Sequence, residues 1–345
     1  MKKLIVLATF AAILASCTSD EDFAPQNALP RDGEIRISTQ VRPSLATRAA
    51  TEAEPYEGTT LGLYIRPCEA PDWNNETDKY TFPNVMFAKN GQGEWSQSQY
   101  ATMPWKGESA NYEFYAYAPA QADVTDGKIP FDLTAQGERP EVENDLLWVG
   151  KTGMASTLVA GQKLNIELAH AFCKVAVQVT LAEEFYQDGK ADNPITDIKI
   201  SSNSVSGKLS VFDGTVVNGN EDGDSPQPGE LTFTVNEGSH APGSATSKGE
   251  YTSPYIFHAP VSEQFKVTIT ADGRTFSYTH PTEHTFESGK LYLIKLNIGK
   301  DETSIGKDEA NTEKGVKNIR KGVTSMGKIS ARLWQTGTRG TWETE

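Results

Sequence analysis

The sequence predicts an all-β protein built as two tandem β-sandwich domains, and three observations carry that expectation. Apolar and polar residues alternate in many short segments, their separators are rich in Gly, Asn, Asp, Ser and Pro, and no long stripe of helical period appears. The dipeptide Asp272-Gly273 stands inside "FKVTITADGRTFSYTH" with alternating residues on both sides, and Asp-Gly supplies the positive φ angles of a tight type I′ hairpin. The length, 345 residues, suits two cores better than one.

The chain begins with "MKKLIVLATFAAIL": two lysines, then an apolar run from Leu4 to Leu14 that is too short to cross a bilayer and reads as a signal-peptide core. The following Leu14-Ala15-Ser16-Cys17 has the form of a lipobox and resembles the processing site of bacterial lipoproteins. That resemblance implies removal of residues 1–16 and lipidation of Cys17. Several acyl chains on one residue make a stable membrane anchor, where one alone binds marginally. The acidic run Ser19-Asp20-Glu21-Asp22 is similar to a surface-export signal of lipoproteins in some Gram-negative anaerobes; it also suits a plain solvated tether over 17–33, with Pro25 and Pro30.

In "EIRISTQV", 34–41, Ile35, Ile37, Thr39 and Val41 share one face, which predicts a first strand. A small, polar loop with Arg42 and Arg48 leads to a second strand, "LGLYIRP". Further strands are expected at 111–119, 146–150, 195–202, 231–235 and 291–299. The longest alternation, "KLNIELAHAFCKVAVQVTL" at 163–181, changes parity near His170: Leu164, Ile166 and Leu168 are even, Cys173 to Leu181 odd. A bulge or a crossing between packed sheets explains such a shift. The polar stretch after it predicts a domain boundary, giving domains 34–182 and 183–345. The second ends in a terminal segment, 316–345, whose "KISARLW" alternates with Ile329, Ala331 and Leu333 on one face.

Net charge is −14, and loss of Lys2 and Lys3 with the leader takes it to −16, which disfavours nucleic acid and anionic membrane surfaces as partners. With Cys17 lipidated, Cys68 and Cys173 remain; export permits a disulfide between them, although Cys173 lies in an apolar run that suits a small buried side chain. Nucleotide, dinucleotide, zinc-protease and serine-hydrolase motifs are absent, and no cofactor is implied. His280 and His284 have metal-like spacing, but Pro281 breaks the helical turn that would align them. Asn218, Asn220, Asp222 and Gly223 open like a calcium loop, yet the twelfth position is Gly229, with Glu230 one residue late. His170 reads as a satisfied core histidine, and the six tryptophans as core or edge residues rather than a sugar platform.

The order of these pieces resembles the fimbrillin family of pilins and accessory subunits: lipobox, first strand, "ATRAA", "FYAYAP", "LAHAFCKVAVQV", "GKLYLIKLNIG" and a late strand ending in "LWQTG". The resemblance implies transthyretin-like sandwiches and a non-enzymatic lipoprotein of the outer-membrane surface. It also implies cleavage between Arg48 and Ala49 by an arginine-specific protease, loss of the first strand, and filling of its groove by another subunit's C-terminal strand. Ile329, Ala331 and Leu333 are then the donor anchors. Arg42 is blocked by Pro43, and Arg31 precedes the strand. The expected partners are other pilin subunits, the outer membrane through the lipid, and a host or bacterial surface ligand. A monomeric outer-membrane lipoprotein that binds glycan or host protein is the rival reading.

Overall fold

The computed structural model describes residues 33–41, 54–70, 79–107, 112–136, 141–149, 154–155, 163–182, 185, 193–216, 226–235, 240–241, 249–299, 323–326 and 329–333. Apart from one four-residue helical turn, α1 (Glu141–Asn144), the regular elements are strands. The first half runs β1 (Ile37–Val41), β2 (Glu54–Pro55), β3 (Thr60–Pro67), β4 (Phe82–Lys89), β5 (Trp95–Gln97), β6 (Tyr112–Ala118), β7 (Lys128–Asp132), β8 (Leu147–Trp148), β9 (Met154–Ala155) and β10 (Leu164–His170). There follow β11 (Cys173–Leu181), β12 (Ile195–Ser210), β13 (Gln227–Phe233), β14 (His240–Ala241), β15 (Gly249–Thr252), β16 (Ile256–His258), β17 (Ser262–Glu263), β18 (Lys266–Ala271) and β19 (Arg274–Thr279). The last are β20 (His284–Thr285), β21 (Lys290–Ile298), β22 (Val323–Met326) and β23 (Ser330–Leu333).

The chain is all-β and forms two sandwiches. The first is a sheet of order β2-β1-β10-β8-β6-β3-β4-β5, with β9 on β6, wrapped about a core that includes Ile37, Leu61, Leu63, Val85, Ile166 and Leu168. The second packs β14-β15-β11-β21-β22, with β16 on β11 and β23 on β21, over β13-β12-β18-β19, with β7 on β12. Its core joins Val175, Val177, Val179, Ile198, Ile200, Val267 and Ile294. β18 and β19 form the expected hairpin: Ala271 pairs with Arg274, and Asp272 and Gly273 take φ of 51° and 69°.

The parity change near His170 is a crossing between sheets. β10 ends against β8 in the first sandwich, and after Ala171 and Phe172, both buried, the chain enters the second as β11 between β16, β15 and β21. The apolar "AFC" at this crossing carries no turn signal. β7 departs further from sequence order: it pairs antiparallel with the second half of β12, from Ser206↔Asp132 to Ser210↔Lys128. The two sandwiches meet around Phe212, whose ring stands edge-on to Tyr64 at 5.6 Å and to Tyr115 at 5.1 Å. Strands β4, β15 and β16 fall outside the segments expected from alternation, since their apolar residues do not keep a strict period of two.

Candidate functional site: a first strand in a two-sided groove

The segment 33–41 behaves as the alternation demands. Ile35, Ile37 and Val41 are 6%, 5% and 4% exposed, and their burial is worth about 1.5–3 kcal/mol each. Outward, the Ser38 hydroxyl donates to Asn165 Oδ1 at 3.3 Å and the Gln40 amide to Glu167 Oε1 at 2.9 Å. β1 runs parallel to β10 from Ile37↔Leu164 to Val41↔Leu168, and the Leu164 N–H donates to Arg36 O at 2.6 Å.

The other side of the segment is also occupied. Ile35 N–H donates to Met103 O at 2.8 Å, Trp105 N–H to Gly33 O at 2.9 Å, and Met103 N–H to the Glu34 carboxylate at 3.0 Å. Toward its end, Gln40 and Val41 pair with Pro55 and Glu54 of β2. The first strand is thus an insert between β10 and the 103–105 segment rather than a bare edge. Withdrawing it would uncover backbone on both flanks and the apolar row Leu164, Ile166 and Leu168.

The C-terminal strands lie elsewhere. β22 and β23 run antiparallel along one edge of β21, with Leu296↔Met326, Tyr292↔Ala331 and Lys290↔Leu333, while β11 holds the opposite edge. Ile329 is half-buried against the second core; Ala331 and Leu333 take their places in β23. In this conformation the strand that carries Ala331 and Leu333 pairs with β21 of its own domain, and Ile329 packs on that domain's core. Cys17, Arg48 and Ala49 lie outside the described residues.

The remaining candidates have structural settings. His170 is buried, with Nδ1 3.0 Å from Asp145 Oδ1. Cys68 is exposed and Cys173 fully buried, so the two are free thiols and form no bridge; burial drives the Cys173 thiol well above its ordinary range. His280 and His284 stand 5.8 Å apart by ring centroids against Phe265, and among the described residues no group of three ligands gathers for a metal. Most of the 218–229 loop lies outside the described residues, and Gly229 belongs to β13. Among the described tryptophans, Trp95 stacks on Tyr56, Trp105 is buried edge-on to Tyr112, and Trp148 packs over Gly214.

One pair escaped the sequence reading. Glu263 and His258, 2% and 0% exposed, place Oε1 and Nε2 3.1 Å apart without hydrogen-bond alignment, so their contact is electrostatic. The other carboxylate oxygen accepts the Asn203 N–H at 2.5 Å and the Ser202 hydroxyl at 3.4 Å. A glutamate in "PVSEQF" looks like any surface charge; its burial follows from the pairing of β17 with β20 and the approach of β12.

Two tandem sandwiches, a first strand inserted between its neighbours and C-terminal strands laid along β21 define the architecture of the chain. The chain belongs to the fimbrillin-like family, whose model matches residues 47–314, and it is not an enzyme. β1 and β22–β23 both fall outside the matched range. No curated protein sequence matches the chain. Among solved structures it is similar to a candidate cell adhesion protein from Bacteroides ovatus, at 16% identity and a TM-score of 0.52, over 88% of this chain and 99% of that one. A candidate cell adhesion protein from Bacteroides uniformis gives 16% and 0.52, over 89% and 100%. At such identity the likeness concerns the fold.

Proposed function

We propose that this chain is a surface-exposed pilus subunit made as a lipoprotein precursor that is anchored through Cys17, and that it assembles by losing the lipidated N-terminal segment with β1 and accepting another subunit's strand in its place. Cleavage after Arg48 frees residues up to 48, and the tail segment carrying Ile329, Ala331 and Leu333 leaves β21 to serve as donor for the next subunit. The observation that carries the reading is the two-sided groove of β1. A strand that fills three apolar sites and satisfies backbone on both flanks leaves a site that another alternating strand repairs by β-augmentation.

The position of the tail favours a second reading. Because β22 and β23 already close their own sheet, a monomeric surface lipoprotein that binds glycan or host protein is also self-consistent. N-terminal sequence and intact mass of protein recovered from the cell surface separate the two. Material that begins at Ala49 without lipid supports strand exchange; material that begins at acylated Cys17 with β1 in place supports a permanent anchor or the monomeric binder.

A further inference from the structure

The tail carries a near copy of the first strand. Residues 36–41 read "RISTQV" and residues 328–333 read "KISARL": the Ile-Ser pair is identical, a cation precedes it in both, and a small, a polar and an aliphatic residue follow in the same order. A further run of this kind, "KISSNS" at 199–204, lacks the closing aliphatic residue and lies within β12, held between β13 and β18. What the groove asks of its occupant is visible from β1. Ile37 and Val41 are 5% and 4% exposed and Thr39 between them is only half-buried, while Ser38 and Gln40 donate to Asn165 and Glu167 of β10.

We propose, resting on the strand-exchange reading, that residues 328–333 of a second copy of this chain replace residues 36–41 in the same direction and register, parallel to β10. Ile329 then takes the site of Ile37, Ala331 that of Thr39 and Leu333 that of Val41. The two sites that bury an aliphatic side chain receive one, and Ala331 falls where burial is least demanded. A slip by one residue would turn Ile329 and Leu333 outward, and a slip by two would set Ala331 in one of the buried sites. On the outer face Ser330 reproduces the Ser38 hydroxyl opposite Asn165. Arg332 brings a guanidinium to the place where the Gln40 amide donates to Glu167, which makes that contact charge-assisted. The incoming strand thus meets Glu167 better than the strand it replaces. β2 follows Arg48 in the chain, so the Glu54 and Pro55 backbone that pairs with Val41 and Gln40 remains to receive Leu333 and Arg332. The likeness ends at Gly327, which brings no side chain to the site that Ile35 fills.

The test is disulfide trapping between copies in a Cys68→Ser background, with Asn165→Cys on one full-length chain and Ser330→Cys on another, produced together and recovered from the cell surface. Ser38 stands opposite Asn165 in the β1 ladder, so this register sets the two cysteines side by side. Cross-linking is expected for Ser330→Cys and should be largely lost for Lys328→Cys and Arg332→Cys, each displaced by about 6.6 Å along the strand. Arg332→Glu should lower the yield of detergent-resistant ladders about tenfold or more, and Glu167→Lys in the same chain should restore it. The urea midpoint of the unprocessed chain should not move with Glu167→Lys, since the Gln40 amide can offer its oxygen to a lysine as it offers its N–H to a carboxylate. Cross-linking strongest at Lys328→Cys or Arg332→Cys would overturn the register while strand exchange stands. Ladders without any cross-link, or ladders that Glu167→Lys fails to restore, would overturn the choice of strand. Chain processed to Ala49 that forms no ladders with its own copies would overturn self-recognition alone, whereas chain that is never processed would sink the strand-exchange reading and this one together.

Discussion

At the scale of single residues, the informative groups are polar ones inside the second sandwich. Glu263→Ala strips the Asn203 N–H and the Ser202 hydroxyl of their acceptor and leaves His258 facing a void. Breaking such a buried pair from one side costs about 3–5 kcal/mol, measurable by urea denaturation, and Glu263→Gln should recover part of it. His284 sits among Phe286, Tyr292 and His280, and burial foremost, with His280 and His258 adding repulsion, lowers its pKa from 6.5. A lowered folded-state value means that below pH 6.5 the unfolded chain binds more protons than the folded one. Stability is therefore full above that pH and falls as pH drops toward the folded-state value. Urea midpoints between pH 7.5 and 5.5 should show the decline, and His284→Gln should flatten it.

At the scale of elements, β1 was legible because its alternation is strict: Ile35, Ile37 and Val41 are the residues that the structure buries. Its two-sided setting was not, since the residues that close its second flank, Met103 and Trp105, belong to a stretch without a strand's period, broken by Pro104 and Gly107. Ile37→Ala removes one of the groove-filling side chains and should cost about 2–5 kcal/mol. The same substitution should hasten release of the N-terminal peptide during digestion with an arginine-specific protease, followed by mass spectrometry; unchanged release would sever β1 packing from processing. The β18–β19 hairpin shows local chemistry deciding alone. Gly273, at φ +69° with open space around its missing Cβ, should lose only about 1–2 kcal/mol on conversion to Ala.

At the scale of the whole molecule, the same backbone angle has a different consequence. Gly214 also has a φ of +70°, but a Cβ there would stand 2.0 Å from the Trp148 ring, across the seam between sandwiches. Gly214→Ala should therefore destabilise more than Gly273→Ala, and differential scanning calorimetry should find the two sandwiches less well coupled. The chain passes between the two sheets through buried Ala171 and Phe172, and β7 crosses back to pair with β12. By itself the sequence determined the all-β class, the hairpin at Asp272-Gly273, the buried face of β1 and the parity break at His170, because period-two burial and turn chemistry are local properties of neighbouring residues. Only the tertiary structure decided which strands share a sheet, that β1 is flanked on both sides, that the tail covers β21 and that Glu263 is buried, because each depends on contacts between residues distant in the chain whose partners leave no mark on their immediate neighbours.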